Sequence, residues 1–168
     1  VLRFSTEAYL PELDLFREVL APDEAIRADQ LRFANDRAEF ILSRAMLRFV
    51  LGTYLDRDPR SIAFRQNRWG KPFLGDSEGG ISFNVSHSKG LVLYALANGG
   101  DVGVDVEGVL SPGFSRPFEF FADWTYREAL TKAAGRGVFD SPTRDALPDW
   151  SFLSLFPGSG FAAVLAVQ

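Results

Sequence analysis

The segment Asp101-Val102-Gly103-Val104-Asp105-Val106-Glu107 alternates valines with acidic or small residues. A strand with one apolar face reads this way. Asp105 and Glu107 then share the other face, roughly 7 Å apart at a rise of about 3.3 Å per residue. Two carboxylates so placed can converge with a third ligand on a hard cation; magnesium accepts a few carboxylates, phosphate oxygens and retained water. An amphipathic strand with its acids in water reads the same. A second pair lies in Trp124-Thr125-Tyr126-Arg127-Glu128-Ala129-Leu130-Thr131-Lys132-Ala133. On a helix, Glu128 and Lys132 fall one turn apart on one face. That spacing suits a surface ion pair worth about 0.3–0.5 kcal/mol. It equally suits a carboxylate for a metal beside an ammonium for a phosphate.

Three further features carry polar chemistry. Phe83-Asn84-Val85-Ser86-His87-Ser88-Lys89-Gly90 gathers hydroxyls, an imidazole and a lysine at a strand-to-turn junction, where such groups and free backbone N–H can meet a phosphate. No G-x-S-x-G nucleophile motif surrounds the histidine, which excludes a serine hydrolase of that type. Gly70-Lys71-Pro72 reads as a turn whose lysine could meet an anion. Arg37, Arg44 and Arg48 are spaced by seven and four residues, so they share one helix face, either a solvated basic stripe or a phosphate-contacting surface.

These groups need elements to hold them. Helical spacing predicts a short helix around Leu13, Phe16 and Val19, another beginning at Pro22-Asp23-Glu24, and a long one over about Asp36–Tyr54 through Phe40, Leu47, Leu51 and Tyr54. Strands are predicted over Ile62–Gln66, Ile81–Val85, Leu91–Ala97 and Val102–Glu107, with Asn98-Gly99-Gly100 as a hairpin signal. A helix over about Phe118–Ala134 ends at Gly135 and Gly137, and Trp150–Phe156 and Phe161–Val167 form a last pair of strands. Ser88-Lys89-Gly90 before LVLYALA is echoed by Ser159-Gly160 before FAAVLAV, a sign of a duplicated helix-plus-hairpin unit. The second unit reads as abbreviated near Leu110–Arg116 and Asp140–Asp149.

The 168 residues, 46% hydrophobic and 24% charged, suit one globular domain spanning 1–168. A net charge of −4 argues against broad nucleic-acid binding. The absence of an 18-residue apolar run and of a signal-like leader points to a cytoplasmic protein. There is no cysteine and a single histidine, His87, so any metal should have oxygen ligands, favouring magnesium or manganese over zinc.

Taken in order, GKP, FNVSHSKG, GVDVE and WTYREALTKAAGRG resemble the 4′-phosphopantetheinyl transferases, specifically the larger single-chain, duplicated, surfactin-synthetase-activating type. The resemblance covers about Leu31–Val138. It implies an α+β fold of two pseudo-symmetric halves, approximately 1–109 and 110–168, each a small antiparallel sheet packed against a long helix. It also implies a magnesium-dependent enzyme, a monomer, that moves the phosphopantetheine arm of coenzyme A to a serine of an acyl or peptidyl carrier protein and releases 3′,5′-ADP. By the same resemblance Asp105, Glu107 and Glu128 hold the metal, and Glu128 is the general base. Lys132 contacts the coenzyme phosphates, with Arg127, Ser86, His87 and Lys71 as further coenzyme contacts. Arg37 and Arg44 lie where relatives contribute basic contacts to the 3′-phosphate. The connection Gly108–Pro117 is shorter than in relatives, in a segment that helps receive the carrier. Two other readings stay open: a non-catalytic coenzyme A or carrier-binding relative, and a magnesium-dependent pyrophosphatase that uses water in place of serine.

Overall fold

The computed structural model describes residues 1–75, 80–109, 118–135 and 149–168, with side chains for all but 118–122. Residues 110–117 and 140–148, where the connection is short and the second unit reads as abbreviated, lie outside the described residues, as does Gly137. The fold is α+β, and the chain packs as two compact units: residues 4–63, and residues 1–3 with 64–168.

The 4–63 unit is helical. Helices α1 (Leu13–Arg17) and α2 (Pro22–Asp29) lead into the 22-residue α3 (Ala34–Leu55). Pro22 stands in the first turn of α2, where its missing N–H costs nothing, and Glu24 reaches back to the Ala21 N–H at 2.9 Å. Helix α3 buries Ala38, Ile41, Leu42, Ala45, Arg48, Leu51 and Gly52, a stripe whose members recur three and four residues apart. The expected face is partly displaced. Leu47 and Leu51 are buried, but Tyr54 is 61% exposed, and Ala38, Ile41, Leu42 and Ala45 belong to the buried set in its place.

The 64–168 unit holds the strands. Strands β2 (Phe64–Gln66) and β3 (Pro72–Leu74) form an antiparallel ribbon. Strands β4 (Ile81–Ser88) and β5 (Leu91–Asn98) form a hairpin, with β1 (Leu2–Ser5) on the other edge of β5. Strand β6 (Val102–Gly108) lies in another sheet, in the order β6–β8–β7, with β7 (Ser151–Leu155) and β8 (Phe161–Val167) antiparallel. The expected hairpin at Asn98-Gly99-Gly100 is therefore corrected. The turn is present, with φ of 75° and 77° at the two glycines, but β6 pairs with β8 and passes the chain to the second sheet. Helix α4 (Phe118–Ala133) covers that sheet: Ala129 and Ala133 pack with Val164 and Ala166, and Tyr126 stacks on Phe152 at 4.1 Å. On the opposite face of β6, Val102, Val104 and Val106 pack against Leu91, Leu93 and Ala95 of β5.

Candidate active site

Strand β6 alternates as its sequence predicts, yet its acidic face is closed. Asp105 is 3% exposed because α4 lies directly over it. Gly103 makes that closeness feasible: a Cβ there would sit 2.1 Å from the Ala129 carbonyl oxygen and 2.4 Å from the Ala133 nitrogen. Any side chain at this position would lift the helix.

The second wall of the site is β4, which runs beside β6 in the same direction. Three side chains of β4 bond to backbone N–H groups of β6. Asn84 Oδ1 accepts from Val104 at 2.9 Å, Ser86 Oγ from Val106 at 3.2 Å, and Ser88 Oγ from Gly108 at 3.1 Å. The seam between the two sheets is thus made by side chains at every second residue, as strand alternation requires.

At the middle of that seam Ser86 donates to Asp105 Oδ1 at 3.0 Å and accepts from Lys132 Nζ at 3.0 Å, while Lys132 Nζ lies 2.5 Å from Asp105 Oδ1. Lys132 of α4 is paired with the strand carboxylate, not with Glu128 one turn earlier. The pair is part-buried, so the interaction is stronger than a surface ion pair. Asp105 Oδ2 is buried with no hydrogen-bond partner. An orphaned carboxylate oxygen in a dry site is costly, and an oxygen-seeking cation would satisfy it.

Glu107 and Glu128 complete the acidic group. Burial, then the charge of Asp105, raises the Glu107 pKa above the ordinary glutamate value. Lys132 and a hydrogen bond from Trp124 pull it back, and Glu128 adds to the rise. The Glu128 pKa is likewise raised by burial, lowered by Lys132 and raised by Asp105. The three carboxylates therefore feel one another electrostatically. Among the described residues, no three acidic or histidine side chains close into a metal-holding cage, and the Lys132 ammonium lies against one Asp105 oxygen. In kind the residues fit a hard divalent cation: three oxygen donors, one of them buried and unsatisfied.

The other expected contacts are distributed differently. His87 and Arg127 are exposed, on β4 and α4. Lys71 does not join the Asp105 group: its ammonium donates to the Ala133 and Val102 carbonyls at 3.1 and 3.4 Å. Burial lowers its pKa, against an opposing pull from Asp101. It borders a cavity of about 380 Å³ lined also by Phe73, Ile81, Asp101 and Gly135. Arg37 and Arg44 lie in the 4–63 unit. Arg37 donates to the Leu31 carbonyl at 3.0 Å, and Arg44 stands 3.6 Å from Glu24. Arg48 resolves the arginine stripe differently from either expectation. It is 1% exposed, bound to Glu24 at 2.7 Å and to the carbonyls of Pro59 and Ile62 at 3.0 and 2.9 Å, a structural cation.

Gly103, Asn84 and Ser88 lie inside the motifs read from the sequence but are not among the expected site residues. The alternation of Asn84, Ser86 and Ser88 was a signal, since three polar residues on one strand face need partners when buried.

Comparison with known proteins gives the family. Residues 7–98 match the family model described as 4′-phosphopantetheinyl transferase, N-terminal. The chain is 34% identical over 185 aligned positions to 4′-phosphopantetheinyl transferase HetI of Nostoc sp., covering 88% of this chain and 78% of that protein. It is 30% identical over 132 residues to 4′-phosphopantetheinyl transferase gsp of Aneurinibacillus migulanus, covering 65% of this chain and 54% of that protein. With 4′-phosphopantetheinyl transferase Sfp of Bacillus subtilis the identity is 24% over 121 residues, covering 72% and 53%. The chain thus spans little more than half the length of the last two. The HetI alignment is longer than the 168 residues of this chain, so HetI carries residues with no counterpart here. A family match over more than half of the chain and a similarity to HetI of this breadth show that the chain belongs to the 4′-phosphopantetheinyl transferase family and is a transferase by activity.

Proposed function

We propose that this chain transfers the phosphopantetheine arm of coenzyme A to a serine of an acyl or peptidyl carrier protein, as a magnesium-dependent, cytoplasmic monomer. The observation that carries the reading is Asp105, a buried carboxylate with one oxygen held by Lys132 and Ser86 and the other without a partner. Asp105, Glu107 and Glu128 would hold magnesium, or manganese in its place. When bound, the metal offsets the negative charge of the pyrophosphate that repels an attacking alcohol.

The protein's own groups do the rest. The carrier serine oxygen forms a bond to the phosphorus that bears the pantetheine arm, and the bond from that phosphorus to 3′,5′-ADP breaks. Glu128 takes the serine proton as the general base. Lys132 and Arg127 offset charge on the departing 3′,5′-ADP. Ser86, His87 and Lys71 are coenzyme contacts in this reading. The halves 1–109 and 110–168 are proposed as a duplicated unit, supported by the hairpins at β4–β5 and β7–β8. Among the described residues no helix is long and apolar enough to cross a membrane.

The test is the intact mass of a panel of apo-carriers after incubation with coenzyme A and magnesium. Transfer adds the phosphopantetheine mass and stops with a chelator. Release of phosphopantetheine without a carrier would instead mark a pyrophosphatase. Coenzyme binding with neither product would mark a non-catalytic relative.

A further inference from the structure

The turn between β2 and β3 has Asn67 at its base, a residue no motif singles out. Its one amide group makes three bonds. The oxygen accepts from the backbone N–H of Trp69 and Lys71 at 2.9 and 3.0 Å, which shapes the turn. The nitrogen donates 2.9 Å to the Gly135 carbonyl, 68 residues away, just past the end of α4. Four residues on, Lys71 reaches the same helix end through Ala133 and also binds Val102, the first residue of β6. The last carbonyls of a helix have no partner within it, and a cation beside them also opposes the helix dipole. Gly135 has φ of 63°, and a Cβ there would lie 3.2 Å from the Asn67 nitrogen, so the helix exit is shaped to this contact.

The geometry matters because of what lies next to it. Ala133 follows Lys132, and Val102 begins the strand that carries Asp105. We propose that Asn67, together with Lys71, is a positioning clamp that fixes the end of α4 against β6 and so holds Lys132 on Asp105. This rests on the transferase reading above and adds a residue to it. Asn67 acts through the helix, not on the coenzyme.

Two substitutions separate the roles. Asn67→Asp keeps the oxygen that shapes the turn but cannot donate to Gly135, whereas Asn67→Ala loses all three bonds. Both are measured for transfer to a carrier, with kcat and KM for coenzyme A taken separately. Amide hydrogen exchange at Ala134 and Gly135, whose N–H groups bond to Leu130 and Lys132, is followed without substrate. The clamp requires that Asn67→Asp lower kcat roughly tenfold, with KM for coenzyme A within about twofold, and speed exchange at the two amides roughly tenfold. Wild-type kcat and exchange in Asn67→Asp overturn it, because only turn shape would then matter. A rise in KM with kcat unchanged also overturns it, by making Asn67 a coenzyme contact. Should the wild-type chain modify no carrier, the transferase reading fails on that control, and the exchange rates still decide the clamp.

Discussion

Replacing Gly103 by alanine is the sharpest test of how the site is built. The added carbon would lie 2.1 Å from the Ala129 oxygen, 2.4 Å from the Ala133 nitrogen and 2.7 Å from the Ala133 Cβ. Unbonded atoms settle at about 3.5–4.0 Å. The two nearest obstacles are backbone atoms, so no side chain can swing away, and the helix must retreat by more than about 1 Å. Overpacking of this kind costs typically about 1–3 kcal/mol, and urea unfolding should place the variant at the upper end. The Lys132–Asp105 contact, 2.5 Å in the native chain, would open by a comparable distance. A misplacement of about 1 Å at a reacting site costs roughly a hundredfold in rate. Transfer to a carrier at saturating coenzyme A should fall by about that factor. Adding Ala133→Gly should not restore it, because the backbone clashes remain. A Gly103→Ala protein within about 0.5 kcal/mol of native stability and transferring at the native rate would refute this account of the strand–helix contact.

Ser86→Ala should cost about 1–3 kcal/mol, since it strips a partner from the buried Val106 N–H, and should slow transfer by loosening Lys132 and Asp105; native stability and rate together would remove Ser86 from the site. Arg48→Met should destabilise the chain by about 3 kcal/mol, the low end for breaking a buried pair, because Glu24 stays buried with only Arg44 at 3.6 Å and the Ala21 N–H left to it; a urea midpoint unchanged from native would contradict that. Glu107 and Glu128 have raised pKa values, so the folded chain binds protons there more tightly than the unfolded chain. Without metal, their contribution to stability is present below the ordinary glutamate pKa and is lost as pH rises through the raised values. In chelator, Glu107→Gln should flatten that decline in a pH series of melting temperatures, and an unaltered slope would count against the shared acidic field. Lys132→Ala should lower kcat/KM by roughly tenfold or more, whereas native kinetics with a small loss of stability would return Lys132 to an ordinary ion pair.

What the sequence revealed and concealed follows from range. Helices α3 and α4 were legible because their spacing is local, and the valine face of β6 was legible because alternation needs only neighbouring residues. The partner of β6 was not legible: Asn98-Gly99-Gly100 specifies a turn, while pairing with β8 joins residues roughly 60 positions apart, Val102 with Val167 at one end. Asp105 and Lys132 were each singled out, but helical spacing matched Lys132 to Glu128. Its pairing with Asp105 depends on the closeness that Gly103 permits, a property of packing that no local period records. Arg48 shows the same limit. Its place on a basic face follows from the spacing, whereas its burial depends on Glu24 and two distant carbonyls.

The seam between β4 and β6 has an evolutionary consequence. Backbone ladders are nearly blind to mutation, since every residue but proline supplies the same donor and acceptor. Here the bonds come from the side chains of Asn84, Ser86 and Ser88, so this junction is written in the genetic code residue by residue. A single base change can delete one rung, lengthen it or shift it. The floor of the site is therefore open to gradual adjustment by selection while each sheet keeps its own pairing intact.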